Sequence, residues 1–294
     1  IYSEVFLNNE YKVYVGMPPI FGLVGSLFFK LLDGHFISAR IVHVFFDLIM
    51  FYGMVLFSIT FLRSEEQGYF MLFLLTPMIL IYSTHQDANT GTLGFSILAY
   101  LCFINFLNQY EMKWLYYFCF IFLVGFWTSY LMLSIVPGII YQLVLYDKIN
   151  KNKKIYSIII LLCGVLLSII SVSIHLSFLP NGLDWLAYRF QERLSFGAQG
   201  GGEIQISNFI LWQIIRLITY YSPFSIVLVM LAMIPINAFK PYQNKNKSNK
   251  ISEYQVFLVL LSWGIPFNLM VNGASYHPFS LYYLVPAIAF GSVL

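Results

Sequence analysis

The 294-residue chain is 59% hydrophobic and 19% aromatic, with only 10% charged residues, a formal net charge of +3 and a mean hydropathy of +0.75. Soluble domains hold about 25% charged residues, so a water-soluble globular protein is excluded and an integral membrane protein is indicated. Apolar runs of helical length recur from end to end, which excludes a barrel of short alternating strands.

Ile1–Met17 is mixed polar, with Glu4, Glu10 and Lys12, and belongs in water or at an interface. Pro18 and Pro19 open the apolar segment Ile20–Leu32, proline being well suited to a helix's first turn. That segment is short for a span and reads as interfacial or re-entrant, so residues 1–36 form an outer loop with an interfacial helix. Ile37–Leu62 is a full span, Tyr69–Ile81 returns, and the polar turn Tyr82–Asn89 follows, carrying His85 and Asp87. Thr90–Leu107 crosses again, Trp114–Trp127 and Leu131–Tyr146 pair around Thr128-Ser129-Tyr130, and Ile155–Phe178 spans. Residues 179–219 read as a long outer loop. Its polar part, Leu179–Ile206, holds Asp184, Arg189, Glu192, Arg193, Glu203 and a Gly200-Gly201-Gly202 tract expected to be mobile. Phe209–Ile218, with Trp212 and Arg216, is a second interfacial piece. Pro223–Phe239 and Tyr254–Val271 span, and the turn Asn272–Pro278, with His277, leads into Leu281–Leu294. The expected fold is an all-α polytopic transmembrane bundle of about nine spans plus interfacial helices. Ile1 and Leu294 look like cut ends, so a longer polytopic protein, truncated at both ends and missing an earlier membrane helix, is expected.

Lysine and arginine fix the orientation. If Pro18–Leu32 does not cross, one set of loops carries Arg63, Lys113, the Lys148–Lys154 cluster and the Lys240–Lys250 run, ten of the sixteen basic residues. That set is expected in the cytoplasm. The N-terminal segment, the Asp87 turn, the Thr128–Tyr130 turn, the long loop and the His277 turn then share the outer face. If Pro18–Leu32 crosses, the N-terminal acids fall on the cytoplasmic side, opposite Asp87, instead.

A carboxylate at the bilayer edge needs a partner or a task, since one at a helix centre costs roughly 2.5–3.5 kcal/mol. Asp87 is in that position. As a common capping residue it is alternatively the N-cap of Thr90–Leu107, a job Asn89 could also do. Asp47 lies mid-span four residues after His43, on one helix face, and reads as half of an Asp–His pair fixing helix packing. Cys102, Cys119 and Cys163 have no paired spacing and read as small buried hydrophobes. The lysine runs determine topology and could touch anionic headgroups.

The order of short motifs resembles the integral-membrane glycosyltransferases of the GT-C type, among them protein O-mannosyltransferases and aminoarabinose transferases. Met17-Pro18-Pro19-Ile20 is similar to their x-Pro-Pro-Leu, and Ser38-Ala39-Arg40, Thr76-Pro77 and Ile81-Tyr82-Ser83 before an acidic turn follow in order. Trp127-Thr128-Ser129-Tyr130 leading to Pro137 resembles their short turn, and Tyr283-Leu284-Val285-Pro286 their Tyr-Leu-x-Pro helix. The resemblance implies inverting transfer of a sugar from a polyprenyl-phosphate donor to a lipid, glycan or protein acceptor on the outer face of the cytoplasmic membrane. It implies a base in the first outer loop, best matched by Glu4 with Glu10 as the alternative, and Asp87 as a second acid. Asp87 would orient acceptor or base, or hold a divalent metal with His85, the one cofactor left open. Pro18 and Pro19 stand at the substrate motif, with Met17 where many members have Lys or His. Tyr282 stands where Arg often precedes the final Tyr, and His277 is in the turn before it. Arg189, Arg193 or Arg216 would meet the donor phosphate, which a guanidinium suits geometrically. Membrane lipids are expected partners and nucleic acid is not. A glycan polymerase or ligase is the alternative enzyme. A secondary transporter is the alternative class, disfavoured because no half-to-half repeat is visible.

Overall fold

Backbone polar groups in lipid must be satisfied internally. The apolar runs accordingly fold as helices in the computed structural model, which describes residues 4–7, 10–13, 19–32, 37–72, 78–79, 89–194, 205–221, 251–264, 283–291 and 293. The chain begins with an antiparallel hairpin, β1 (Glu4–Leu7) and β2 (Glu10–Val13), then α1 (Ile20–Leu31), α2 (Ile37–Phe61), α3 (Ser64–Leu72), α4 (Asn89–Gln109) and α5 (Lys113–Thr128). A 3-10 turn (Tyr130–Ser134) leads into α6 (Ile135–Leu145), α7 (Lys151–Ser177), α8 (Gly182–Leu194) and α9 (Ile206–Tyr221). Two further helices follow, α10 (Glu253–Ser262) and α11 (Val285–Gly291).

Among the described residues α2, α4 and α7 are long and apolar enough to cross a membrane. Their roles differ. In α4, 78% of the most apolar window is buried, against 28% in α7, so α4 is the central helix and α7 lies at the periphery with Ile159, Leu166 and Ile170 exposed. The shorter apolar helices include α5, the Tyr130–Leu145 stretch and α10.

Glycine sets the packing at the centre. Small residues let membrane helices approach closely, and α4 uses Gly91 and Gly94 in this way. A Cβ on Gly94 would lie 2.7 Å from the Met50 nitrogen and 2.8 Å from its Cα, while Gly91 sits directly on the Phe46 ring and Gly53 faces Ile97. The pairings Phe46 with Gly91, Met50 with Gly94 and Gly53 with Ile97 rise together, so α2 and α4 run parallel. α5 turns back on α4 through a short connection, with Tyr110 in the left-handed region at φ 60 and its amide closing on the Phe106 carbonyl at 2.7 Å. α7 runs parallel to α5, because Cys119 reaches the Ile160 carbonyl at 3.6 Å and the Trp127 indole donates to Ser171 at 2.8 Å.

These directions put Arg63, Lys113, Lys151, Lys153 and Lys154 at one end of the bundle, as the loop alternation predicts. There Lys153 donates to the Tyr110 carbonyl at 2.6 Å, and the Tyr146 hydroxyl donates to the Leu107 carbonyl at 3.0 Å. Lys113 pairs with Glu111, which raises the Lys113 pKa. Glu253 is half-buried, and Glu66 and Arg63 act on it electrostatically, so α10 starts at the same end. Burial, and then Glu66, raise its pKa above the ordinary 4.5.

Several elements differ from the sequence expectation. The N-terminal segment contains a hairpin, because two β-prone runs flank Asn8-Asn9. α3 starts at Ser64 rather than Tyr69, since Glu66 reaches back to accept from the Arg63 amide at 2.8 Å, a capping arrangement. The polar interval after Leu179 folds as α8, whose first turn carries Asp184, well placed for the helix dipole. Cys163 is exposed on α7 rather than buried, while Cys102 is buried and Cys119 half-buried, all three free. Pro223–Phe239 and the Gly200 tract lie outside the described residues.

Candidate active site

The end of the bundle opposite the lysines gathers the start of α2, the start of α4, and the ends of α5 and α7. α4 starts low on α2. Its Thr90 hydroxyl bonds the Asp47 carboxylate, and Gly91 sits on Phe46. At 1.5 Å per residue, the stretch Ile37–Phe46 therefore extends roughly 15 Å beyond the level at which α4 begins. α1 packs along that projecting stretch, a Cβ on Gly25 falling 3.7 Å from Val42. Pro19 is buried at the N-cap of α1, where its fixed φ, here −79, suits helix initiation. Among the described residues, α1 and the first turns of α2 thus stand beyond the level of the first turn of α4.

At the same end, α5 stops at buried Thr128, and the Ser129 hydroxyl accepts from the Leu131 amide at 3.3 Å to start the 3-10 turn. This is the short turn expected between paired helices. Trp127 stacks near His175 of α7, ring centroids 5.5 Å apart, and the chain continues into α8.

Glu4 is in β1 opposite Val13, and Glu10 is in β2 opposite Leu7. Their register positions differ in parity, so they stand on opposite faces of the hairpin. Arg189 and Arg193 stand one turn apart on α8. Arg216 is half-buried on α9, on the stripe that also holds Phe209, Gln213, Leu217 and Tyr220. Leu217 and Tyr220 pack against the core, while Ile210, Trp212 and Ile214 are exposed, so this stripe is the inward face. Asp87, His85, Pro18, His277 and Tyr282 lie outside the described residues. The placed candidates thus stand on separate elements, β1, α1, α8 and α9. Among the described residues no group of three or more His, Cys, Asp and Glu could hold a metal.

Residues 17–178, more than half of the chain, match the model of the dolichyl-phosphate-mannose-protein mannosyltransferase family. The chain belongs to that family. No curated protein sequence matches it. The crystal structure of ArnT from Cupriavidus metallidurans bound to undecaprenyl phosphate shares its fold over 100% of this chain, with a TM-score of 0.64 and 14% identity. The chain spans 52% of that structure's length. The all-helical GT-C-type architecture expected from the motifs is therefore the observed one, with the terminal hairpin added.

Within the matched range, the second proline of the x-Pro-Pro motif, Pro19, starts α1. Sequence reasoning missed the Asp47–Thr90 bond. The expected partner of Asp47 was His43, one turn back on the same helix; the observed partner is on α4, so the carboxylate fastens two helices. The signal was available in Gly91-x-x-Gly94, which marks a close helix seam directly after Thr90.

Proposed function

We propose that this protein is a membrane glycosyltransferase that moves a sugar from a polyprenyl-phosphate donor to an acceptor hydroxyl on the extracytoplasmic face, with inversion. The match to the mannosyltransferase family over residues 17–178 carries this reading. Undecaprenyl phosphate bound to ArnT, a protein of the same fold, supports a lipid-phosphate donor. In the reaction the acceptor oxygen attacks the anomeric carbon, the bond from that carbon to the phosphate oxygen breaks, and the lipid phosphate leaves with the electron pair. The acceptor proton passes to a carboxylate on the attacking side.

Glu4 is the proposed base, with Glu10 on the other hairpin face as the internal comparison. Asp87 orients the acceptor or the base. Arg216 meets the donor phosphate from the inward stripe of an apolar helix, where desolvation strengthens a charge-assisted pair. Arg189 and Arg193 on α8, with His85, Pro18, Pro19, His277 and Tyr282, complete the substrate surface. The test is transfer from undecaprenyl-phosphate sugars by the purified protein in proteoliposomes. Glu4→Gln and Asp87→Asn should each abolish turnover while membrane insertion persists. Wild-type rates in both variants refute the mechanism.

A further inference from the structure

At the end of the bundle where α5 and α7 begin, several cations are engaged by the protein itself. Arg63 pairs with Glu66, and Lys113 with Glu111. Lys153 donates to the Tyr110 carbonyl and lies over the Tyr110 ring, and Lys154 donates to the Val144 carbonyl at 2.6 Å. Lys148 and Lys151 differ. Both are exposed, and among the described residues neither makes a hydrogen bond or an ion pair. Asp147, exposed beside Lys148, pairs with neither of them. The stretch Asp147–Lys154 holds four lysines against one carboxylate, so it keeps a net positive charge, and two of its ammonium groups are left to the surroundings.

Lys151 also heads an apolar stripe. Ile155, Ile159, Leu162, Leu166 and Ile170 follow it at steps of three or four residues, which places them on one face of α7, and all are exposed. The face packed on α5 is a different one: a Cβ on Gly164 would meet Cys119, and Leu161 and Ser168 are buried on that side. From Lys151 to Leu162 the helix rises roughly 16 Å, about the hydrocarbon depth of one leaflet in a core roughly 30 Å thick. Tyr156, near the head of the stripe, is exposed as well and suits the headgroup boundary. Unengaged cations above an apolar strip of this length are complementary to an amphiphile with an anionic head; a soluble anion would match the upper end alone.

We propose that Lys148 and Lys151 form a binding site for an anionic phospholipid of the leaflet at this end, its phosphate held by the two ammonium groups and an acyl chain lying along the Ile155–Ile170 stripe. The site stands at the opposite end of the bundle from the starts of α2 and α4, and it does not depend on the glycosyltransferase reading.

The test titrates the intact protein in neutral detergent with dioleoylphosphatidylglycerol, or with dioleoylphosphatidylcholine as the uncharged comparison, and counts bound lipid by native mass spectrometry. A lysine near a bilayer surface contributes on the order of fivefold to the affinity for anionic lipid. Lys148→Gln and Lys151→Gln should each weaken phosphatidylglycerol binding about fivefold and together about 25-fold, down to the level of phosphatidylcholine. Arg63→Gln removes a charge at the same end that is already paired, and should weaken binding by less than about twofold. Equal weakening by Arg63→Gln makes the whole charged end a diffuse field and overturns the site. Dihexanoylphosphatidylglycerol should bind at least about tenfold more weakly; equal binding removes the apolar stripe from the proposal and overturns it. In a second arm, phosphatidylglycerol with a diazirine in its acyl chain is added at one equivalent and photolysed. Adducts should map to Ile155–Ile170 and disappear in the double lysine variant. Adducts spread over the bundle, or unchanged in that variant, overturn the assignment. Neither arm requires sugar transfer, so a failure of the glycosyltransferase reading leaves both intact.

Discussion

Substituting alanine for Gly94 puts a methyl group where α4 meets the backbone of α2. The new Cβ would lie 2.7 Å from the Met50 nitrogen and 2.8 Å from the Met50 Cα, against 3.4 Å for ordinary contact. Both obstacles are backbone, so no side chain can swing aside, and the helices must part by roughly 0.7 Å. Overpacking of this kind costs about 1–3 kcal/mol. Alanine's better helix propensity returns up to about 1 kcal/mol, leaving a net loss of up to about 2 kcal/mol even when all of it is recovered. Gly68 in α3 supplies the control, since nothing lies within 4 Å of its Cβ position. Gly68→Ala should therefore gain roughly 0.5–1 kcal/mol. Denaturant titration in detergent, followed by tryptophan fluorescence, measures both. The turnover of Gly94→Ala should also fall about tenfold, because small misplacements of a reacting geometry are expensive. If Gly94→Ala is as stable as the wild type while Gly68→Ala gains, the parallel seam is wrong.

Glu253 offers a pH test. Its carboxyl titrates above the ordinary 4.5 because of burial and Glu66, with Arg63 opposing. The native state thus holds the proton more tightly than the unfolded chain, and the group's contribution is best at low pH and falls as pH rises through the ordinary and then the raised pKa. Glu253→Gln should be more stable than wild type at pH 7 by a few tenths of a kcal/mol after solvent screening, with the gap closing below about pH 4; a constant gap contradicts the assignment. Arg216→Ala should raise the donor KM about tenfold, with Arg216→Lys recovering part of it; an unchanged KM removes Arg216 from the phosphate site. Cysteines at Thr84 and Asn152 should label from opposite sides of the membrane, and same-side labelling breaks the topology.

Helix positions were legible where apolar runs were long. α2 and α4 match their predicted spans to within two residues at each end, because burial of backbone in lipid leaves the helix as the available structure. The hairpin escaped notice because Glu4–Val13 is short and its alternation is masked by charged residues. α8 was read as loop because its residues are too polar for a span; its periodicity, with Leu183, Leu186 and Phe190, carries the helix instead. For the site, the motif order located the family but not the seam. A hydrogen bond from Asp47 to a residue far along the chain depends on the helix register, and the register becomes visible only when both glycine contacts are known. Arg216 was chosen for its guanidinium alone, and its place on the inward stripe of α9 was not legible from the chain.

Sidedness rests on two arguments that fail independently. Lysine and arginine distribution sets one, and helix direction sets the other. Parallel packing of α2 with α4 and of α5 with α7, with α5 turning back on α4, puts the starts of α2 and α4 at one end and those of α5 and α7 at the other, whatever the charges are. The one ambiguity in the charge argument was whether the segment before α2 crosses. α1 is 12 residues long, roughly 18 Å at 1.5 Å per residue, well short of the roughly 30 Å hydrocarbon core. It also packs beside the outer turns of α2 rather than along its full length. On the transfer reading proposed above, a helix of that length would leave Glu4 and Glu10 on the side where α2 and α4 begin. The proposed two-acid site requires that arrangement, since Asp87 precedes the start of α4 by two residues in the chain.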